Sequence, residues 1–190
     1  YGVTLTRVGA MGVSAMMHGY LAFDANDKLL TPFRTWRNTT TGQAAEALSE
    51  RFGFNIPQRW SIAHLYQAML NREAHVGSVA YLTTLAGYIH YRLTGEKVIG
   101  IGDGSGMFPI DDATHGWDQT RLAKVDALLA GHGVSVRVAD VFPRPLDAGA
   151  DAGTPLTPDP AEVMDVRWID LDALRAEVSA APAAFAPWLR

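Results

Sequence analysis

The chain reads as an α/β protein, and three observations predict this. Short apolar runs that close on glycine or histidine have the length and texture of buried strands: one ends at Met17-His18-Gly19, and another runs from Val98 into Gly100-Ile101-Gly102-Asp103-Gly104-Ser105-Gly106. Between such runs lie segments whose apolar residues recur three and four positions apart, the spacing of one helix face. Glycines stand just past those segments, where helices commonly stop. With 190 residues, 48% of them hydrophobic, the chain can bury one sizeable core or two small ones.

The elements follow in order. Residues 8–16 form a small-residue apolar run and read as a buried strand. Residues 21–23 and 29–34 flank Asp24-Ala25-Asn26-Asp27, a turn-rich tetrapeptide, and read as a hairpin. Thr41 precedes a helix with Ala44, Ala45, Leu48 and Phe52 on one face, stopped by Gly53. Ser61 can cap a second helix, with Ile62, Leu65, Tyr66, Met69 and Leu70 along its apolar side. A third helix over residues 79–93 buries Leu82, Leu85, Ala86 and Ile89 and ends at Gly95. Residues 98–101 lead into the Asp103 loop. Asp111 and Asp112 read as a turn or a cap. Asp118 caps a fourth helix carrying Leu122, Val125, Leu128 and Leu129, which ends at Gly131 or at Gly133. There is no internal repeat.

Past Val141 the texture changes. Pro143, Pro145, Gly149, Gly153, Pro155, Pro158 and Pro160 crowd together and read as a linker. Beyond it Val166-Arg167-Trp168-Ile169 reads as a strand, and Asp170 caps a short helix burying Leu171, Leu174 and Val178. The expected organisation is a main lobe over residues 1–142, a linker over 143–160 and a tail over 161–190.

Composition excludes several function classes. Formal net charge is −4 and basic residues form no run, which argues against a nucleic-acid partner. The absence of cysteine removes disulfides, thiolate metal sites and a cysteine nucleophile together, and suits a cytoplasmic protein. No apolar stretch reaches the roughly 18 residues that span a bilayer, so no membrane partner is expected. No charged-then-apolar leader follows Tyr1, so no secretory signal is expected, and a start on Tyr in place of Met predicts a fragment or a processed chain.

The candidate chemistry centres on Asp103. A carboxylate caged by glycines can be approached closely and can accept a proton from a substrate hydroxyl; the same pattern also fits a tight turn with a solvated carboxylate. His18 fits either a ligand contact or a half-buried, satisfied histidine. Met17 fits a ligand contact or core filling. Trp36 and Trp60 fit hydrophobic anchors, and an aromatic face also suits the apolar side of a sugar. His64, His75, His90, His115 and His132 show no ligand spacing with carboxylates, so no metal site is assigned. Gly100-x-Gly102-x-x-Ser105 departs from the dinucleotide fingerprint at its last position, and no Gly-Lys-Ser/Thr loop occurs. Asp103-x-Ser105 lacks the later acidic ligands of a calcium loop.

Two loops together carry a family resemblance. Residues Gly12-Val13-Ser14-Ala15-Met16-Met17-His18-Gly19-Tyr20-Leu21 are similar to the sugar-contacting strand and turn of FGGY-family carbohydrate kinases, most closely the xylulokinase-like members. Thr35-Trp36-Arg37-Asn38 resembles their tryptophan-polar segment, and Tyr91-Arg92-Leu93-Thr94-Gly95-Glu96 the helix end before their catalytic loop. Asp103-Gly104-Ser105-Gly106 resembles the Ser-Asp-Ala-Ser-Gly pattern, with Gly102 where serine is usual and Gly104 where alanine is usual. The likeness runs over about residues 3–157. It implies part of an actin-like, ribonuclease H-like lobe with a mixed sheet and flanking helices. It also implies phosphoryl transfer from ATP, with Mg²⁺, to a small-molecule sugar. Asp103 would be the base, Met17 and His18 would position the other hydroxyls, and Trp36 would form a wall. The family's Asp-x-Gly-Thr phosphate turn and its nucleotide-binding lobe are not in the sequence, so the resemblance predicts an incomplete lobe, inactive alone.

The tail resembles another family. Glu162-Val163-Met164-Asp165-Val166-Arg167-Trp168-Ile169-Asp170-Leu171 is similar to the C-terminal strand and helix of Nudix-type isopentenyl-diphosphate isomerases. Ala183-Ala184-Phe185-Ala186-Pro187-Trp188 resembles the segment bearing their active-site tryptophan, which falls on Trp188. This predicts a join of two unrelated segments near Pro158 to Pro160; a small decoration sharing a common pattern is the alternative. Three functional readings follow: an incomplete sugar-kinase lobe, a non-catalytic sugar-binding or interaction module on the same lobe, and an isomerase fragment. The last would need a His and Glu metal cluster that the sequence does not show.

Overall fold

The computed structural model describes residues 13–146, together with Ala176, Ser179 and Ala180, which are helical. The chain divides into two compact units, Tyr1–Ala148 and Gly149–Arg190. The described part of the first unit is α/β, as predicted, with helices around three two-stranded sheets.

Strand β1 (Leu21–Phe23) turns back at Asp24, whose Oδ1 accepts the backbone N–H groups of Asn26 and Lys28. The returning chain touches it only at single bridges, Phe23 to Leu29 and Tyr20 to Arg34. The ladder partner of β1 is β2 (Tyr81–Thr83), antiparallel, with Leu21 opposite Thr83 and Phe23 opposite Tyr81. A helix was predicted to cover residues 81–83. Tyr81 and Thr83, aromatic and β-branched, suit a strand, and with Leu82 they pair with the open edge of β1, so helix α3 (Leu85–Thr94) starts only after Thr84. Gly95 takes a left-handed φ of 79° at its end.

Helix α1 (Gly42–Phe52) matches expectation, burying Ala44, Ala45, Leu48 and Phe52 and closing at Gly53. Helix α2 (Ser61–Leu70) is buried from Ser61 through Met69, so it runs through the core and shows no solvent-facing stripe. Its N-cap is Trp60, not Ser61. The Ser61 hydroxyl donates to the Gly19 carbonyl at 2.7 Å, a tertiary bond that ties α2 to the turn before β1.

Strand β3 (Val98–Gly100) pairs in parallel with β6 (Arg144–Leu146), Val98 opposite Arg144 and Gly100 opposite Leu146. Thus the first residues of the predicted linker form a strand; Pro145 is tolerated because the sheet has two strands and both are edges. Asp103 lies on a single helical turn, α4 (Ile101–Gly104), where a loop was predicted. A short hairpin, β4 (Ile110–Asp111) with β5 (Gly116–Trp117), turns where Asp111 Oδ1 accepts the N–H groups of Ala113 and Thr114. Asp118 caps α5 (Gln119–Gly131) by accepting the Arg121 N–H at 2.9 Å. Gly131 is its last residue, and Gly133 takes the left-handed turn beyond it. Helix α6 (Val138–Val141) leads into β6.

One main core joins these elements. Phe108, fully buried, meets Phe52, Trp117 and Phe142 edge-on at centroid distances of 5.7, 6.4 and 5.9 Å. Burying such a ring contributes about 1.5–3 kcal/mol, and these contacts fasten the chain right after Asp103 to α1, to β5 and to the C-terminal end of α6 (Val138–Val141). Residues 13–17, the described part of the predicted 8–16 strand and its end, have no regular secondary structure. The predicted tail strand, the Asp170 cap and Trp188 lie outside the described residues. Among the described residues, no helix is long and apolar enough to cross a membrane.

Candidate active site

Asp103 is placed by packing on both sides. The preceding strand β3 is held by β6, and the following Met107 and Phe108 are fully buried. Its Oδ2 accepts the Thr84 hydroxyl at 2.5 Å, and Thr84 Oγ1 in turn accepts the Gly87 N–H at 3.1 Å as the N-cap of α3. Its Oδ1 is buried without a hydrogen-bond partner among the described residues. Burial pushes the Asp103 carboxyl above the ordinary carboxylate range, and the Thr84 hydroxyl pulls the other way. A cavity of about 270 Å³ lies beside it, lined also by Ala86, Gly87, His90, Ile99 and Gly100. An apolar cavity lined by a residue whose carboxyl has one oxygen without a partner among the described residues suits a neutral hydroxyl, which can supply a hydrogen bond without burying a second charge.

His18 and Met17 come up against the other end of the Asp103 turn. The His18 Nδ1–H donates to the Gly106 carbonyl at 3.3 Å, leaving Nε2 as the acceptor nitrogen of a neutral ring. Burial lowers the His18 pKa and the Arg59 charge lowers it further, against the Gly106 carbonyl, which raises it. A Cβ on Gly106 would stand 2.5 Å from His18 Nδ1 and 2.6 Å from the Met17 carbonyl oxygen, so this approach requires glycine. Gly19 is similarly obligatory: its φ is 101°, and a Cβ there would meet the Arg34 carbonyl at 2.4 Å.

Trp36 is half exposed, with the Arg37 guanidinium 5.2 Å above its ring, and its backbone N–H donates to Met16 Sδ at 3.5 Å. Trp60 packs partly buried against the main core, and Phe54 lies 6.2 Å from its ring centroid.

Sequence reasoning missed Thr84. Its position just before a helix start is an N-cap signal, but the partition of residues 79–93 into one helix concealed it. A second polar cluster was also missed. Arg34 pairs with Glu73, His75 Nδ1 lies 3.6 Å from Glu73, and the Tyr20 hydroxyl meets His75 Nε2 at 3.0 Å. Burial pushes the Tyr20 hydroxyl far up. His64, fully buried beside the Tyr20 ring, has neither ring nitrogen hydrogen-bonded among the described residues, and burial lowers its pKa to about 4.

The fold of this unit is similar to that of part of several solved sugar kinases. It matches the xylulose kinase of Bifidobacterium adolescentis with a TM-score of 0.60 over 73% of this chain and 35% of that one, at 14% identity. The xylulose kinase of Rhodospirillum rubrum matches at 0.56 over 72% and 28%, with 22% identity, and the gluconate kinase of Lactobacillus acidophilus at 0.56 over 75% and 29%, with 20% identity. The resemblance to isopentenyl-diphosphate isomerases also holds. The Delta-isomerase of Rhodobacter capsulatus is 49% identical over 53 residues, and that of Cereibacter sphaeroides is 45% identical over 53 residues. The chain spans about 28% of those isomerases and 28% to 35% of the three kinases. No family model matches the chain.

Proposed function

We propose that the Tyr1–Ala148 unit is the acceptor half of an ATP-dependent carbohydrate kinase, holding a sugar hydroxyl for phosphoryl transfer with Asp103 as the base. The observation that carries this reading is the buried Oδ1 of Asp103, without a partner among the described residues, on a residue that lines a cavity in a fold similar to that of sugar kinases. In the proposed step, the hydroxyl proton passes to Asp103 Oδ1 while the oxygen bonds to the γ-phosphorus and ADP leaves. The neutral His18 ring, through Nε2, and the Met17 backbone would orient neighbouring hydroxyls. Trp36 enters as a wall only from the sugar side of this reading.

The residues described do not by themselves fit a protein-held Mg²⁺. Among them no three His, Asp or Glu side chains gather, and the polar set at Asp103 is one carboxylate and one hydroxyl. Because the chain spans about a third or less of the kinases it matches, we propose that it does not turn over ATP alone. We assign residues 161–190, with Trp188, to an isomerase-like tail, and a cytoplasmic setting, where ATP is the phosphoryl donor.

Titrating a panel of pentoses, ketoses and polyols into the chain tests the reading. Saturable binding, weakened by His18→Ala and insensitive to ATP, is expected, with no sugar-dependent ADP release. Turnover near ~1 s⁻¹, the low end for ordinary enzymes, would overturn the incomplete-lobe reading; no binding of any sugar would overturn the acceptor site. The partial span also favours a second reading, a sugar-binding module without catalysis. The two separate when a complete nucleotide-binding half is supplied, since only the kinase reading then gives turnover.

A further inference from the structure

Asp103 has two oxygens in unlike surroundings, and a residue 19 positions away makes them so. Thr84 is fully buried between β2 and α3. Its oxygen already accepts the Gly87 N–H at 3.1 Å, and its single hydrogen points to Asp103 Oδ2, 2.5 Å away. A hydroxyl has one hydrogen to give, and a β-branched side chain has few rotamers in which to give it. The first turn of α3 comes this close because residue 87 is glycine: a Cβ there would stand 2.3 Å from Thr83 Oγ1 and 3.5 Å from Thr84 Oγ1. The same ladder governs the other side of the site. Thr83 pairs with Leu21, three residues after His18, so β1 and β2 fix the His18 turn and the Thr84 hydroxyl together.

We propose that Thr84 is a positioning residue for Asp103: by occupying Oδ2 it reserves Oδ1 as the oxygen that takes the proton of the acceptor hydroxyl. The proposal rests on the reading of Asp103 as the base. When the acceptor O–H bond breaks and the Oδ1–H bond forms, Oδ2 becomes the carbonyl oxygen of the acid and still accepts the Thr84 hydrogen. No hydrogen bond to Thr84 has to break during the transfer. The acceptor oxygen meanwhile bonds to phosphorus and the nucleoside diphosphate leaves, so charge and protons balance. A hydroxyl fixed before reaction does not have to reorient as charge moves.

The test is a ¹³C NMR titration of the Asp103 carboxyl in the full chain, its signal assigned by its loss in Asp103→Asn. Thr84→Val removes the donor, and Thr84→Ser keeps it. The carboxyl should titrate at higher pH in Thr84→Val than in wild type and return in Thr84→Ser, with His90, the titratable neighbour lining the same cavity, followed in parallel. An unchanged Asp103 midpoint in a folded Thr84→Val overturns the proposal, as does a Thr84→Ser chain that titrates like the valine variant. A capping defect alone would lower the melting temperature without moving the Asp103 midpoint. If Thr84→Val does not fold, the Thr84 hydroxyl proton of the wild-type chain is read instead. A slowly exchanging resonance that shifts in Asp103→Asn supports the proposal, and a fast-exchanging one overturns it. Sugar titrations followed at the Asp103 carboxyl separate the two readings: a carboxyl that depends on Thr84 but never responds to a sugar sinks the sugar site and leaves the Thr84 contact standing.

Discussion

The His18 ring rests on the backbone of Gly106: its Nδ1 donates to the Gly106 carbonyl at 3.3 Å, and a Cβ on that glycine would stand 2.5 Å from the same nitrogen. The contact joins residues 88 apart in sequence and brings both glycine-bearing segments to one place. Gly106→Ala should therefore push away both the imidazole and the Met17 carbonyl. Backbone cannot swing aside as a side-chain tip can, so the loss should be about 1–3 kcal/mol, read by urea denaturation, with weaker sugar binding. Gly102→Ala, where a Cβ meets nothing within 4 Å, is the matched control and should not destabilise.

Asp103→Asn should abolish the base while preserving shape. With a complete nucleotide-binding half supplied, kcat is expected to fall by roughly 10² or more with little change in sugar affinity. His18→Ala should show the opposite pattern, weaker sugar affinity with a smaller effect on kcat. Steady-state kinetics and calorimetric titration check both, and an unchanged kcat in Asp103→Asn would remove Asp103 from the reaction.

Stability should fall with acid through His64. Its folded pKa is lowered to about 4 by burial and by the Arg34 charge, whereas a histidine in the unfolded chain titrates near ~6.5. Between those values the unfolded chain binds more protons, so the contribution is complete above about pH 6.5 and is lost as pH falls toward about 4. Burial lowers the pKa of His18 and His75 as well, which adds in the same direction. Going from about pH 7 to about pH 5 should remove on the order of 2 kcal/mol, seen as a lower melting temperature. His64→Leu should flatten that slope; a slope unchanged in His64→Leu would assign the effect elsewhere.

Truncation after Thr157 should leave the first unit intact. Its described core, from Tyr20 through Phe142, is supplied by its own residues. Unfolding of the truncated chain should differ from that of the full chain by no more than about 1 kcal/mol, the range of a peripheral change. A loss of several kcal/mol, or strong hydrogen-exchange protection across residues 166–178 in the full chain, would show that the tail belongs to one integrated fold.

Much of the local structure was legible in the residues themselves. The spacing of Ala44, Ala45, Leu48 and Phe52 defines the buried face of α1, Asp118 caps α5, and Asp111 makes its turn, because each signal acts within about one helical turn of backbone. The glycine-bearing segments around His18 and Asp103 marked the candidate site for the same reason: glycine patterns report what the backbone beside them must do. The tertiary structure alone decided the rest. Residues 81–83 are apolar enough for a helix and become β2 only because β1 offers an open edge; residues 144–146 look like linker until β3 pairs with them. Ser61 resembles a cap, yet its hydroxyl goes to Gly19, 42 residues away. Local patterns record the period of one element. Which edge, hydroxyl or ring meets another across 19, 42 or 88 residues depends on how elements pack, and that packing gives Asp103 one hydrogen-bonded oxygen and one buried oxygen without a partner among the described residues.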